Sequence, residues 1–471
     1  MPGAQTTYAI VVLVLALAGI GFAGMHAMRI SRGRGTSEYF LGGHTVSWIS
    51  LAGSFFVTTL WGVWCVGAEL SFRANVWMWA GLGLIMAAGF VVMGYFLSPA
   101  YRVRDVLTIA EFLGDRFGNN GVGMLVSLAF VLLTLLVRIP ITIVLGGRML
   151  HLIFGWDPVT AALLMIVVPG VFAVAGGYTA IFAVQGVAAV AAVAGLVFFS
   201  SAGAPDLTLP AALHFSGGGN ENLVLFGGLL LYAFWSTCID QSILQRVAAT
   251  CTRRDPRRSA FTAAGAIAFG GLAIGIGTAS RTTSLLPPDT WTGVATAFVG
   301  ASIVTSAIAA LSSHFMSVST MTTMDLFRKL RSTADESALV LVGRLTATVA
   351  VIFSILASSV LALLGDAAVV WLVAAYVVLG TPLVAIAVIG LVWPGRHSTG
   401  AICGLLAGWI VGCVMASLQP EQMITRNGLF LLAIIVFVLS ALVMVGVALL
   451  STSGLSILHP ELRKGLRVPK S

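Results

Sequence analysis

Hydroxyl side chains crowd one apolar segment that is long enough to cross a bilayer. The stretch "AALSSHFMSVSTMTTMD", from Ala309 to Asp325, carries seven of them: Ser312, Ser313, Ser317, Ser319, Thr320, Thr322 and Thr323. On a helix, Ser312, Ser319 and Thr323 share one face. Oxygen atoms gathered on such a face are suitable ligands for a hard cation. The alternative is packing, because Ser and Thr also occur where membrane helices touch and hydrogen-bond the carbonyls of their own helix.

An arginine lies deep within another apolar segment. Arg138 stands two residues before Pro140, and a charge at such a depth costs about 2.5–3.5 kcal/mol on insertion scales. A guanidinium can hold a substrate carboxylate through two hydrogen bonds. It can equally pair with a neighbouring carboxylate or with carbonyls that Pro140 leaves without a donor. Both interpretations stay open at this point.

Two further titratable side chains lie in or beside apolar segments. Asp240 precedes Gln241 at the end of one segment, and His314 follows Ser313 in the hydroxyl-rich one. A desolvated carboxylate or a histidine can bind and release a proton near neutral pH, which would serve proton coupling. Alternatively, Asp240 hydrogen-bonds nearby donors or Arg246 at a helix end, and His314 is a packed, hydrogen-bonded histidine.

Composition identifies the class of protein that must position these groups. Of the 471 residues, 58% are hydrophobic and only 9% are charged, whereas an ordinary soluble domain carries about a quarter charged residues. So few charges cannot cover the surface of a soluble protein of this size. The chain is therefore predicted to be an all-α integral membrane protein with many spans.

Apolar stretches of membrane-crossing length recur along the whole chain. They predict thirteen transmembrane helices, at residues 8–28, 48–71, 75–99, 121–148, 157–175, 179–202, 222–240, 260–280, 294–324, 338–364, 367–393, 398–418 and 428–450. The second span is predicted to be broken around Ser54 to Gly62, where glycine and hydroxyl residues mix, and the fourth at Pro140. Residues 102–118 are amphipathic and are predicted to form an interfacial helix on the cytoplasmic side.

Basic residues predict the orientation. Most of the 25 Lys and Arg residues fall in alternate loops, and the opposite loops hold only Arg73, Arg148, Arg281 and Arg426. Because cytoplasmic loops are enriched in Lys and Arg, the N-terminus is predicted outside and the C-terminus in the cytoplasm of a cell, that is inner, membrane. The formal charge of +8 is thus a topology signal, and we expect no nucleic-acid partner.

Six stretches, in order, resemble landmarks of the sodium:solute symporter family. They are "SEYFLGGHTVSW" (37–48), "TIAEFLGDRFG" (108–118), "GGYTAIFAVQG" (176–186), "DQSILQRVAA" (240–249), "SVSTMTTMDLFRK" (317–329) and "GLVWPGRHSTGAICGLLAG" (390–408). The resemblance implies a leucine-transporter-like fold with two inverted five-helix repeats, at 48–202 and 222–393. The helix at 8–28 precedes them, and two helices at 398–450 follow within a single domain of residues 1–471.

The resemblance also implies Na⁺ as the coupling ion. The ligands expected from it are carbonyl or hydroxyl oxygens on the second and ninth spans: Phe56, Thr59, Ser306, Ser312 and Ser313. Ala309 and Ala310 stand where the family has its usual hydroxyl pair, and Ala183–Val184 where some members have an aspartate. These departures leave H⁺ as the alternative coupling ion.

A midplane solute site is expected between the broken helices of such a transporter. The residues predicted to contact the solute are Thr58, Trp61, Arg138, Trp235, Asp240 and Gln241. We predict a symporter that takes up a small organic solute by alternating access, with a carboxylate as solute if Arg138 faces the cavity. The partners are then the solute and the lipid bilayer. A transporter-derived solute sensor is the alternative. The sequence shows no nucleophile–base pair and no cluster of side chains with metal-ligand spacing, so an enzyme is not predicted. It also shows no phosphate-binding loop, so ATP use is not predicted.

Overall fold

A computed structural model describes residues 2–30, 35–69, 76–104, 106–202, 221–252, 254–280, 291–364, 366–393, 395, 397–418 and 426–451. Within these ranges the chain is almost entirely helical and forms no β-strand. The helices are α1 (Pro2–Ile30), α2 (Thr36–Leu41), α3 (Trp48–Glu69), α4 (Val76–Val92), α5 (Ser98–Arg104), α6 (Ile109–Phe117), α7 (Asn120–Leu133), α8 (Ile139–Phe154), α9 (Pro158–Val171), α10 (Gly177–Ala202), α11 (Glu221–Phe234), α12 (Gln241–Ala248), α13 (Asp255–Ser280), α14 (Trp291–Thr320), α15 (Arg328–Leu330), α16 (Glu336–Leu364), α17 (Asp366–Val392), α18 (Ser398–Leu418) and α19 (Arg426–Ser451).

Thirteen membrane-crossing helices are present in the described residues. Twelve stretches are long and apolar enough to cross a bilayer, but one of them, Val159–Ser200, has 42 residues. A single crossing needs about 20 residues. Gly177, with φ 58° and ψ −155°, interrupts the helical backbone within this stretch. It therefore divides the stretch into two crossings, α9 and α10, and the predicted number of spans is confirmed.

The predicted break in the second span is wrong, and the break lies elsewhere. α3 is a continuous helix from Trp48 to Glu69. Its hydroxyls need no break, because the Thr58 Oγ1 hydroxyl donates to the Ser54 carbonyl one turn earlier, at 2.9 Å. The seventh span is interrupted instead. After a wide π-helical turn at Trp235–Ile239, Asp240 adopts an extended ψ of 131°, and α12 begins at the next residue.

The fourth span is widened at Pro140 and is not broken there. A π-helical turn, Thr134–Arg138, joins α7 to α8, and Pro140 occupies the start of α8. A π turn accommodates the extra residue where proline lacks an N–H donor, so the helix continues through it. This wide turn positions the Arg138 side chain.

The predicted interfacial segment is helical, but it is buried within the protein. α6 carries a Thr108 N-cap and a left-handed Gly118 at its end, and most of its residues are buried. It packs against α7 and the end of the hydroxyl-rich helix. The amphipathic pattern therefore marked a helix whose apolar face contacts other helices and not lipid.

The hydroxyl-rich helix, α14, lies at the centre of the bundle. Within its candidate span 83% of the most apolar window is buried, against 22–28% for α1, α18 and α19. It contacts α1, α3, α8, α9, α10 and α16. Its hydroxyls consequently face protein and not acyl chains, which is the arrangement that a binding role requires.

Candidate functional site

A cavity of about 260 Å³ opens between α3, α8, α11, α12, α14, α17 and α19. Its polar and aromatic lining includes seven predicted solute or ion residues: Thr58, Thr59, Trp61, Arg138, Trp235, Asp240 and Ser313. Arg246, His314, Tyr232 and Tyr376 also line it. The structure thus brings together side chains from both predicted repeats around one space. Broken α11–α12 and continuous α3 both contribute residues to its wall.

Arg138 and Asp240 form an ion pair in this wall. The Arg138 Nη2 group donates to Asp240 Oδ2, and both side chains are largely buried. The other carboxylate oxygen of Asp240 accepts the backbone N–H of Ser242, at 2.7 Å, and so caps α12. A carboxylate at a helix N-terminus is favoured by the helix dipole. Arg138 therefore pairs with a neighbouring carboxylate, which is one of the two interpretations open for it.

Arg246, on α12, is a second buried guanidinium in the same wall. It donates to the Ser54 carbonyl at 3.2 Å, to Thr58 Oγ1 at 2.8 Å and to Ser313 Oγ at 2.8 Å. Its guanidinium also lies 5.9 Å from the centre of the Phe55 ring. All these partners are uncharged, and no carboxylate in the described part of the chain forms an ion pair with Arg246.

A glutamine completes the network that surrounds Ser313. The Gln185 side-chain amide donates to Ser313 Oγ at 2.8 Å and to the Ala309 carbonyl at 3.0 Å, and its oxygen accepts the Ser54 hydroxyl. Ser313 Oγ therefore accepts N–H groups from both Gln185 and Arg246. With a guanidinium beside it, this oxygen is not available to a cation, and we remove Ser313 from the expected Na⁺ ligands.

Of the remaining expected ion ligands, Ser306 and Ser312 keep a hydroxyl oxygen that can still accept. The Ser306 hydroxyl donates to the Ser302 carbonyl at 2.6 Å, and the Ser312 hydroxyl donates to the Ile308 carbonyl at 2.7 Å. Each hydroxyl oxygen still has lone pairs that can accept or coordinate. Phe56 and Thr59 lie within continuous α3, where backbone carbonyls accept helical hydrogen bonds.

Aromatic rings line the part of the cavity next to the ion pair. Trp235 stacks on Phe130, with 4.9 Å between the ring centres, and Tyr376 approaches it edge-on at 6.1 Å. The Trp61 indole donates to Thr142 Oγ1 at 3.4 Å. Trp235 Nε1 and Arg138 Nη1 are buried donors without a hydrogen-bond partner among the described residues. An unpaired buried donor costs about 1–3 kcal/mol, and both atoms are buried, so neither is open to the cavity in this arrangement.

Gln241 lies outside the cavity. Its side-chain oxygen accepts the backbone N–H of Ile109 at 2.9 Å, and its amide donates to the Leu107 carbonyl at 3.3 Å. It joins α12 to the start of α6 and does not line the cavity, so the structure gives its predicted contact with solute no support.

Sequence reasoning missed Arg246 and Gln185 as site residues. Arg246 was considered only as a partner for Asp240, and Gln185 only as part of a motif. A signal was present for both, because each is a strongly polar side chain in an apolar stretch. What the sequence could not show is that both converge on Ser313.

Comparisons with known proteins agree on one family. The sodium:solute symporter family matches residues 39–204 and 283–408. The sodium/mannose cotransporter of Bos taurus is 26% identical over 81% of this chain and 74% of its own length. The sodium/glucose cotransporter 1 of Oryctolagus cuniculus is 24% identical over 93% of this chain and 78% of its own length.

A solved structure has the same fold. It is a Na⁺-coupled sialic acid symporter in a substrate-bound, outward-open state, which superposes with a TM-score of 0.73 over 93% of this chain and 98% of that one, at 19% identity. This likeness confirms the predicted leucine-transporter-like fold of inverted helical repeats.

Proposed function

The chain belongs to the sodium:solute symporter family, and from this premise we propose that it takes up a small, hydroxylated organic solute of about monosaccharide size. Membership makes it a multi-pass membrane transporter with Na⁺ as its coupling ion, and not an enzyme. The solute itself is the part we propose. Cotransporters of mannose, glucose and myo-inositol among its relatives support a hydroxylated solute.

The observation that carries this proposal is an aromatic surface beside polar side chains in one cavity wall. Trp235 and Tyr376 present rings to the cavity, and Thr58, Thr142 and Arg138 line it as well. Hydroxylated rings offer acceptor oxygens around an apolar C–H face, which suits such a wall. We propose that Trp235, Arg138, Trp61 and Thr58 contact the solute, with Asp240 holding Arg138 in place.

The sides of the cavity support alternating access. Cys65, Val66, Leu229 and Leu429 line it toward the predicted outer ends of their helices. On the predicted cytoplasmic side, the Tyr101 hydroxyl donates to the Cys238 carbonyl at 2.8 Å. The contact of Tyr101 with Cys238 supports an inner side that is closed in this arrangement.

We propose that Na⁺ binds between α3 and α14 through oxygens of Thr59, Ser306 and Ser312 and the Phe56 carbonyl. Asp240 is held by Arg138 and Ser242, so it is poorly placed as a proton carrier. Na⁺-coupled transport is therefore favoured over an H⁺-coupled carrier or a sensor. The repeat limits of 48–202 and 222–393 and the outer N-terminus are parts of the same proposal.

The test is uptake by purified protein in proteoliposomes. Radiolabelled D-glucose, D-mannose, myo-inositol, D-gluconate and D-glucuronate are offered with an inward Na⁺ gradient or with K⁺ in its place. We expect at least one hydroxylated solute to accumulate only with Na⁺. Accumulation that ignores the Na⁺ gradient, or none with any hydroxylated solute, contradicts the proposal.

A further inference from the structure

We infer that the start of α13 binds the headgroup of an anionic phospholipid, such as phosphatidylglycerol, from the leaflet on the predicted cytoplasmic side. The inference goes beyond the proposed function and does not depend on which solute is carried. It follows from three exposed arginines, from the aromatic rings beside them and from the apolar surface that continues along the same helix.

Three arginines lie together at the start of α13. Arg254, Arg257 and Arg258 are spaced i, i+3 and i+4, and the Arg258 N–H donates to the Arg254 carbonyl at 3.2 Å. This spacing brings side chains to one side of a helix. All three residues are exposed, so a ligand at the membrane surface can reach them.

The protein does not neutralise the charges of these arginines. Within the described residues, none of the three forms an ion pair. Asp255, their neighbour in the sequence, is buried, and its Oδ2 atom accepts the Thr252 N–H at 3.1 Å. This face of α13 therefore keeps its positive charge, which complements the phosphate of an anionic lipid.

Two aromatic rings position one of the guanidiniums. The Arg257 guanidinium lies 4.8 Å from the centre of the Tyr95 ring and 5.6 Å from the centre of the Phe261 ring. Tyr95 belongs to the π-helical turn Met93–Leu97 at the end of α4, so this contact joins α4 to α13. A guanidinium stacked on rings keeps the N–H donors at its edge free, and their geometry matches a phosphate.

The apolar surface next to the arginines has a notch. Phe261 and Phe269 are exposed, and they stand four residues before and after Gly265, on the same face of α13. A Cβ at Gly265 would meet nothing within 4 Å. The space between the two rings suits an acyl chain. Arginines beside lipid-facing aromatic rings fit a phospholipid, whereas a free anion would use only the arginines.

The site adjoins segments that lead to the inner side of the cavity. α5 follows the turn that contains Tyr95, and on α5 the Tyr101 hydroxyl donates to the Cys238 carbonyl at 2.8 Å. A bound headgroup contacts this turn and the start of α13 together. Because the lipid binds the folded protein, we expect it to raise the melting temperature.

The experiment compares two lipids that differ in headgroup charge. Phosphatidylglycerol, or zwitterionic phosphatidylcholine with the same acyl chains, is titrated into the full chain in detergent, and native mass spectrometry counts the bound lipids. We expect phosphatidylglycerol to bind about tenfold or more tightly and to raise the melting temperature. Equal binding of the two lipids overturns the inference. Displacement of the lipid by an equal concentration of inorganic phosphate also overturns it, because the site would then be one for free anions.

Paired variants separate this site from the general basic charge on the same side of the membrane. Arg257→Gln with Arg258→Gln removes two charges from the site, and we expect the preference for phosphatidylglycerol to fall about tenfold. Arg328→Gln with Arg331→Gln removes two exposed charges elsewhere on the predicted cytoplasmic side, and the preference should persist. Equal losses in the two double variants contradict the inference, as does a site variant that keeps the full preference.

A charge-conserving variant tests the stacked guanidinium. Arg257→Lys keeps the charge and loses the planar group between Tyr95 and Phe261. We expect its affinity for phosphatidylglycerol to fall about threefold or more, while its melting temperature without anionic lipid stays that of the wild type. Binding as tight as that of the wild type would show that charge alone attracts the lipid, and it would reject the site.

Discussion

Arg246 Nη2 lies 2.8 Å from Ser313 Oγ, in the centre of the bundle and against the hydroxyl-rich helix. A guanidinium thus occupies one of the oxygens that the sequence pattern assigned to a cation. The contact links α14 to α12, the helix that follows the break in the seventh span. Through Gln185 it also links both helices to α10. The proposed Na⁺ ligands on α14 are accordingly Ser306 and Ser312, and Arg246 is a buried guanidinium in the cavity wall.

The ion pair of Arg138 with Asp240 predicts a large non-additive effect on stability. Arg138→Gln leaves a buried carboxylate unpaired, and Asp240→Asn leaves a guanidinium unpaired, so each should destabilise the protein by about 3–5 kcal/mol. The double variant should lose much less than the sum of the two. Thermal unfolding of the four proteins in detergent measures the coupling, and strictly additive losses would show that the pair is not formed.

The free hydroxyl oxygen of Ser312 predicts a specific effect on Na⁺ dependence. We expect Ser312→Ala to raise the Na⁺ concentration for half-maximal uptake by about tenfold, which corresponds to about 1.4 kcal/mol, while solute affinity at saturating Na⁺ changes little. Ser317→Ala is the matched control, because Ser317 also donates to its own helix, at 2.8 Å, and is not an expected ligand. Equal Na⁺ curves for the Ser312 variant and the wild type would rule out Ser312.

The unpartnered indole N–H of Trp235 predicts a loss of solute affinity without a loss of fold. Trp235→Phe retains an aromatic ring against Phe130 and removes only the donor and part of the surface. We expect solute binding to weaken by about 1–2 kcal/mol, as for one hydrogen bond and some contact area, with similar thermal stability. Trp371→Phe, at an exposed position on α17, should leave both quantities unchanged. Unaltered binding in Trp235→Phe would place the solute away from this wall.

The hydrogen bond between Thr108 and Asp325 predicts that this contact holds the cytoplasmic side of the transporter closed. Thr108 Oγ1 donates to Asp325 Oδ1 at 2.8 Å and accepts the N–H of Glu111, capping α6. Thr108→Val removes both interactions, which should cost about 1–2 kcal/mol. The fraction of inward-open molecules should therefore increase. Spin-label distances between the inner ends of α6 and α12 would measure this, with Thr262→Val as an exposed control. A distance distribution like the wild type's would contradict a closing role.

Close packing of α4 on α13 predicts intolerance of a single methyl group. A Cβ at Gly271 would lie 2.6 Å from the Trp79 carbonyl and 2.8 Å from Gly83 Cα. Gly271→Ala should therefore destabilise the protein by about 1–3 kcal/mol. A Cβ at Gly265 on the same helix meets nothing within 4 Å, so Gly265→Ala should be neutral or slightly stabilising. Equal melting temperatures for the two variants would contradict the observed packing.

The sequence also gave wrong expectations whose causes are instructive. Glycine and hydroxyl residues around Ser54 predict a break. The Thr58 hydroxyl instead donates to the Ser54 carbonyl of its own helix, and α3 is continuous. The real break, at Asp240, follows a wide turn that no local pattern marked. The sequence predicts Gln241 at the solute, but its side chain hydrogen-bonds the start of α6.

The sequence by itself determined the membrane class, the thirteen crossings, the family resemblance and the hydroxyl-rich central helix. These properties depend on hydropathy over about 20 residues and on local motifs, which neighbouring residues in the chain carry. Only the tertiary structure decided that Asp240 neutralises Arg138 and leaves Arg246 unneutralised. Ion pairing joins residues that are a hundred positions apart, and its outcome depends on which helix faces approach each other when the bundle packs.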